Sequence, residues 1–254
     1  MIVCKSPAEL ERMRAANALV GDVLAHLATM VAPGVTTWDL DVEAEKLVRA
    51  AGAEPAFKGY RGYPCTLCAS VNEQVVHGIP AQRALVEGDI ISLDMGVKLN
   101  GFYGDSAVTV PVGRVSPEAA KLLRVTRESL EKGIEQVRLG GRVSDIGHAI
   151  QAHVEANGFS VVREFVGHGI GASLHEEPQI ANYGEPGRGP RLAEGMTLAI
   201  EPMVNMGRPA VKVLGDGWTA VTKDGSLSAP FEHTVAVTRD GPLVMTARSA
   251  ALKP

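Results

Sequence analysis

The stretches EGDIISLDMGV (87–97) and EGMTLAIEPMV (194–204) read as two copies of one strand, each with an acid at the same place. Asp94 lies in the first copy and Glu201 in the second, an offset of 107 residues (94 to 201). Downstream, DSAVTV (105–110) and EHTVAV (232–237) repeat the pattern with Asp105 and Glu232. Four carboxylates at matched positions in two half-chains point to one site on a pseudo-twofold axis. So many acids at one site repel strongly unless cations neutralise them. The pattern therefore predicts a metal centre with more than one ion.

The same arithmetic extends outward. APGVTTWDLDVEAEKLVRAAGA (32–53) and RLGGRVSDIGHAIQAHVEANGF (138–159) both have helical periodicity after a glycine. At an offset of 106, Gly34, Asp39, Val48, Ala50 and Gly52 fall on Gly140, Asp145, Val154, Ala156 and Gly158. Glycines at such helix ends can adopt the left-handed conformation that stops a helix. Ser6-Pro7-Ala8-Glu9 is a capping-box start with proline at the first helical position, and Ser116-Pro117-Glu118 is a similar start. Each half reads helix, helix, strands. The expected fold is a single α+β domain over residues 1–254, with an internal pseudo-repeat at roughly 6–110 and 116–240. Its two similar halves pack their sheets together under an outer layer of helices. The loop YGEPGRGPR (183–191) is expected to be exposed.

Composition narrows the function classes. The chain has 254 residues, 45% apolar and 21% charged, an ordinary globular balance. A net charge of −4 gives no nucleic-acid signature. No apolar run approaches the ~18 residues of a membrane span. MIVCKSPAELERMR lacks the apolar centre of a signal peptide, so the expected location is the cytoplasm. Three cysteines, Cys4, Cys65 and Cys68, do not make a disulfide framework. The Cys65–Cys68 pair lacks the two further ligands of a structural zinc site and reads as packing or pocket lining.

Asn100-Gly101 between apolar runs is a strong hairpin signal. With these two as the turn, Leu99 faces Phe102, Asp94 faces Ala107, and Asp105 lies diagonal to Asp94 on the same face. Diagonal Cα atoms are about 7–8 Å apart, a span that brackets two metals about 3.5–4 Å apart. The histidines divide by context. His26, His148 and His153 lie in helical stretches and read as surface or packing residues. His233 follows Glu232 on a strand and should face the other way. His77, His168 and His175 lie in Gly- and Pro-punctuated segments, where function concentrates. Chemistry alone gives one of these three a ligand role and leaves open which. Glu176 and Glu177 read as a solvated pair.

The motifs GYRGYPCTLCASVNEQVVHGIP, SLDMGV, GFYGDSAVTV, FVGHGIG, LHEEPQI, IEPMV, DGWTAVTKDGSLSA and FEHTVAVT occur in order along the chain. In this set the chain resembles the type I methionine aminopeptidases of the bacterial single-domain form, over essentially its whole length. The resemblance implies the pita-bread fold: two pseudo-symmetric αβ halves, a central antiparallel sheet and covering helices. It implies a metal-dependent hydrolase that removes N-terminal methionine from peptides and nascent proteins, with a small second residue preferred. It makes Asp94, Asp105, His168, Glu201 and Glu232 the ligands of two divalent ions (Mn, Fe, Co or Zn), with Asp105 and Glu232 bridging. His77 and His175 are implied to contact the scissile amide and its carbonyl oxygen, and Glu201 to shuttle the proton. The methionine slot is implied to include Tyr60, Tyr63, Cys68, His77, His175 and Trp218. Phe57 and Leu174 depart from some relatives, which carry Cys and Phe there. A monovalent cation held by carbonyls near Asn72, Gln74 and Ser228, a transient ribosome contact and a monomeric state complete the implied picture.

Two other readings share the fold. One is an aminopeptidase P or prolidase, which usually carries an extra N-terminal domain. The other is a metal-free peptide- or ribosome-binding relative, in which ligands are lost. All five ligand positions are acid or histidine here.

Overall fold

The computed structural model describes residues 1–247. Four helices carry their start signals in sequence. Helix α1 (Pro7–Met30) begins where Ser6 and Glu9 cap each other's backbone amides. Helix α2 (Thr37–Ala50) starts with the same device from Thr36 and Asp39. Helix α3 (Pro117–Ile134) is capped by Ser116, which accepts from the Ala119 amide. Helix α4 (Val143–Ala156) opens on Asp145 accepting from the Arg142 amide. Such caps satisfy amides that the helix itself leaves unpaired, each worth ~1 kcal/mol. The helix-flanking glycines Gly34, Gly52, Gly140 and Gly158 all have positive φ, between 71° and 93°.

The strands are antiparallel throughout the described residues. The long hairpin Ile90–Leu99 and Phe102–Pro111 forms one sheet with Cys68–Val71 and Glu54–Pro55. A second sheet runs Gly241–Val244, His233–Thr238, Thr197–Ile200, Gly167–Gly169, Glu176–Ile180. Two smaller three-stranded sheets lie beside them, one of which includes Gln74–Val76 and Ala220–Thr222. Helix α1 lies directly on the hairpin, and α3 and α4 pack on each other. Fully buried Leu24, Leu40, Ile90, Leu93, Ile146 and Leu198 belong to one continuous apolar core.

A seam joins the hairpin to the second sheet. The Glu232 amide donates to the Ala107 carbonyl at 3.0 Å. The Ser106 hydroxyl donates to the Glu232 carbonyl at 2.6 Å, and the Thr234 hydroxyl to the Asp105 carbonyl at 2.8 Å. The acid of each strand is thus hydrogen-bonded through its own backbone to the other strand. This places Asp105 and Glu232 side by side.

Candidate metal centre

Asn100 and Gly101 form the hairpin turn, with φ of 54° and 82°. Two left-handed residues in succession match the twist of a two-residue hairpin, and Asn-Gly tolerates them best. The register follows: Leu99 pairs with Phe102, Asp94 with Ala107 and Gly96 with Asp105. Asp94 and Asp105 are therefore diagonal neighbours on one face. A shift by one residue would have sent one acid to the opposite face.

His168 reaches them from the short strand Gly167–Gly169. Both flanking glycines are dictated by close backbones. A Cβ at Gly167 would lie 2.3 Å from the Ala199 carbonyl oxygen, and one at Gly169 would lie 2.2 Å from that of Glu177. Ala199 pairs with His168 on one side and with Thr234 on the other. That common partner brings the Glu201 and Glu232 segments to the same point as His168.

The resulting cluster is tight and mostly buried. Ligand atoms of Asp105, His168 and Glu232 all lie within 4.8 Å of one another. His168 Nε2 is 3.9 Å from Asp105 Oδ2 and 3.6 Å from Glu201 Oε1. Asp105, Glu232 and His168 are only 4%, 4% and 8% exposed. Among the described residues no Lys or Arg pairs with any of the four acids. Asp94 Oδ1, Asp105 Oδ1 and Glu232 Oε1 are buried without a hydrogen-bond partner.

Burial first, and mutual repulsion second, push the Asp105, Glu201 and Glu232 carboxyls well above their ordinary range. Burial raises Asp94 to about 7. Burial, helped by His175, lowers His168 to about 4, so its ring is neutral at pH 7. The Gly169 carbonyl lies 2.9 Å from His168 Nδ1, and a carbonyl can only accept. Nδ1 therefore carries the proton and Nε2 turns its lone pair to the acids, the usual arrangement of a ligating histidine. Orphaned carboxylate oxygens around a neutral imidazole fit divalent cations. Hard oxygen donors with one nitrogen suit Mn²⁺, Fe²⁺ or Co²⁺ at least as well as Zn²⁺.

This electrostatic state predicts how the protein responds to metal removal. Carboxyls with raised folded-state values hold protons that the unfolded chain releases. Their contribution is complete below the ordinary carboxyl range and is lost as pH rises through the folded values. His77, His168 and His175 are shifted downward and oppose this below about 6.5, so the effect is cleanest above pH 7. Chelator-treated protein is expected to melt at a lower temperature at pH 8 than at pH 7. Mn²⁺ at 100 times its Kd should restore about 2.7 kcal/mol at either pH. A melting temperature insensitive to both metal and pH would refute the cation cage.

The acids open onto a cavity of about 190 Å³. Its lining holds all five proposed ligands and Tyr60, Tyr63, Cys68, His77, His175 and Trp218. Tyr60 OH is 3.0 Å from His175 Nδ1, and the two rings stack at 5.3 Å. The His175 ring centroid is 4.2 Å from that of His168. Tyr63 meets Trp218 edge-on at 5.1 Å, and His77 meets Phe165 at 5.6 Å. The segment between these groups is fixed from below. Buried Asp41 of α2 accepts from the Thr66 and Leu67 amides, and Tyr63 OH donates to the Leu67 and Gly78 carbonyls. Cys68 pairs with Asp94 across the sheet. Burial, and then the Asp94 charge, keep its thiol protonated. Both CxxC thiols are free and buried; Cys68 lines the cavity and Cys65 packs beside Tyr63.

Phe57 and Leu174 also line the cavity. Arg61 was not legible as a site residue. It lines the rim with its guanidinium 5.4 Å over the Tyr60 ring, and nothing in GYRGY distinguishes it from a surface arginine. His26, His148 and His153 contact Glu43, the Gly184 carbonyl and Glu128, away from the acids. His233 bonds Thr246. One expectation is corrected. Glu176 is not half of a solvated pair: its side chain is 12% exposed and accepts from the Lys5 ammonium at 2.6 Å. The partner lies 171 residues away, out of reach of any local reading.

The metallopeptidase family M24 model matches residues 11–239. The chain belongs to metallopeptidase family M24. Within M24 it is 54% identical to methionine aminopeptidase of Clostridium perfringens over 246 residues, 97% of this chain and 99% of that one. It is equally similar, at 54% and the same coverage, to methionine aminopeptidase 1 of Bacillus subtilis. The crystal structure of methionine aminopeptidase from Thermotoga maritima superposes with a TM-score of 0.96 at 48% identity, covering 98% of this chain and all of that one. Prolidase from Pyrococcus horikoshii, at 20% identity and a TM-score of 0.79, shares the fold; this chain aligns with 66% of its length. The M24 pita-bread fold is the architecture described above.

Proposed function

We propose that this M24 chain hydrolyses the first peptide bond of peptides and nascent chains that begin with methionine, using two divalent ions. The observation that carries the reading is one cavity in which a buried acid cluster meets a slot of aromatic rings and a thiol. The relatives named above support methionine as the residue removed. A thioether packs favourably on aromatic edges and adapts to irregular gaps, which suits a slot lined by Tyr63, Cys68, His77 and Trp218. A small second residue is the expected preference.

Asp94, Asp105, His168, Glu201 and Glu232 would hold the two divalent ions. When bound, such ions lower the pKa of coordinated water toward neutrality and polarise the scissile carbonyl. The remaining work belongs to side chains. Glu201 accepts the proton of the attacking water and returns it to the departing amine. Tyr60 donates its hydroxyl proton to His175 Nδ1, which leaves the Nε2 proton to meet the carbonyl oxygen as charge develops. His77 holds the scissile amide from the opposite wall.

Replacing His175 by Ala removes a donor that matters chiefly in the transition state. Loss of one such donor costs ~2.7–4 kcal/mol, so kcat should fall by about 10²–10³ with a smaller change in KM. A raised KM with unchanged kcat would assign His175 to binding instead.

No helix among the described residues is long and apolar enough to cross a membrane. The proposal includes a cytoplasmic monomer that meets chains as they leave the ribosome. It also includes a monovalent cation near Asn72, Gln74 and Ser228. The hydrogen bond from the Ser228 amide to the Asn72 carbonyl, 2.9 Å, supports the proximity of two of these. The deciding experiment is methionine release from Met-Ala-Ser, against cleavage of Ala-Pro peptides, after reconstitution with Mn²⁺, Fe²⁺, Co²⁺ or Zn²⁺. Release of methionine with any of these metals supports the reading. Cleavage confined to Ala-Pro, or bound metal with no cleavage, overturns it.

A further inference from the structure

Lys5 is a charged residue without the exposure that lysine normally has. Its side chain is 3% exposed, and its ammonium donates to Glu176 Oε2 at 2.6 Å and to the Val3 carbonyl at 3.2 Å. A buried ion pair of this kind is a poor source of stability, because desolvation offsets most of the attraction. Its location gives it another role. Glu176 follows His175 directly and begins the strand Glu176–Ile180. Its other oxygen accepts from the Ser173 amide at 3.0 Å, so one carboxylate spans the turn that displays Leu174 and His175.

The pair is held from both sides. The Lys5 amide donates to the Gly195 carbonyl at 2.7 Å, just ahead of the strand Thr197–Ile200 that leads to Glu201. On the loop side, Gly171 has no side chain because the pair fills that space. A Cβ there would lie 2.3 Å from Lys5 Cε and 2.7 Å from Glu176 Oε1. The Gly171 carbonyl in turn accepts from the Tyr103 amide of the hairpin at 2.8 Å. Lys5 therefore ties the start of the Glu201 strand to the loop of His175 from outside the residues that line the cavity. His175 is itself exposed, and its one side-chain hydrogen bond among the described residues is to Tyr60.

We infer that Lys5 is a positioning residue for His175: through Glu176 it fixes the loop so that the imidazole faces the carbonyl oxygen of the substrate. The inference rests on the role proposed above for His175. A transition-state donor tolerates little displacement, and a misplacement near 1 Å can cost about 10² in rate. An anchor that spans two segments of the site is a direct way to prevent this.

The test is a double-mutant cycle on the metal-loaded protein with Met-Ala-Ser, reading kcat, KM and metal content. Lys5→Met should lower kcat at least tenfold, with KM within about twofold and metal content unchanged. In the His175→Ala background the same substitution should change kcat by less than twofold, since nothing is left to position. Lys5→Met strands the Glu176 carboxylate and could unfold the protein. Lys5→Met/Glu176→Gln removes that charge and should show the same loss of kcat. An equal loss from Lys5→Met in both backgrounds, or no loss in either form, overturns the inference while leaving the role of His175 intact. A His175→Ala protein with unchanged kcat removes both.

Discussion

Glu201→Gln, fully loaded with metal, should hydrolyse Met-Ala-Ser about 10²–10⁴-fold more slowly than the parent, the range over which a positioned acid–base group contributes. The substitution is nearly isosteric. The amide oxygen can still face the metal, and the Asn182 amide still donates to the backbone carbonyl of residue 201, as it does at 3.1 Å in the parent. What Gln cannot do is take a proton from the attacking water. The loss should appear in kcat rather than KM, because proton transfer is absent from the ground state. Metal content must be measured beside the rate. A Gln variant that binds its metal and retains near-normal kcat would end the proton role of Glu201.

The second large effect combines loss of activity with a reversal in stability. Asp105 is a proposed metal ligand and sits in the seam, so Asp105→Asn should lower metal affinity by more than the 10–100-fold typical of outer-shell changes. Activity at micromolar metal should be abolished. With chelator at pH 8, however, the variant should melt at a higher temperature than the parent. The parent there carries Asp94 raised by burial, and Asp105, Glu201 and Glu232 raised by burial and by neighbouring acids. Asn removes one of these titratable groups, and with it the cost of burying it in either protonation state, and adds an amide that can donate to the neighbouring carboxylates. With saturating Mn²⁺ the order should invert, because only the parent gains full linkage stabilisation. The same ranking in both conditions would show that repulsion is not stored at this site.

Much of this was legible before any coordinates, and the reasons are local. Asn100-Gly101 imposes its own backbone conformation, so it fixed the register and hence the common face of Asp94 and Asp105. Ser6, Ser116 and the prolines after them marked helix starts because capping is decided within four residues. The five proposed ligands and the proposed slot residues rest on motif resemblance. Spacing alone pointed to the acids but could not choose among His77, His168 and His175. That choice depends on which loop the second sheet brings beside Glu232. Arg61 and Lys5 were missed for a related reason. A charge becomes informative through what surrounds it, and the Lys5 environment is assembled from residues near 171, 176 and 195.

The seam of Ser106, Thr234 and the Glu232 amide has a consequence for how such a centre can fail. Its bonds join segments more than 120 residues apart, so closing them carries the entropic cost of non-local contacts. Neither half of the polypeptide owns a working centre. Turnover reports on closure of the entire chain, and damage that parts the two sheets by about 1 Å is expected to slow hydrolysis about 10²-fold while every helix is still intact.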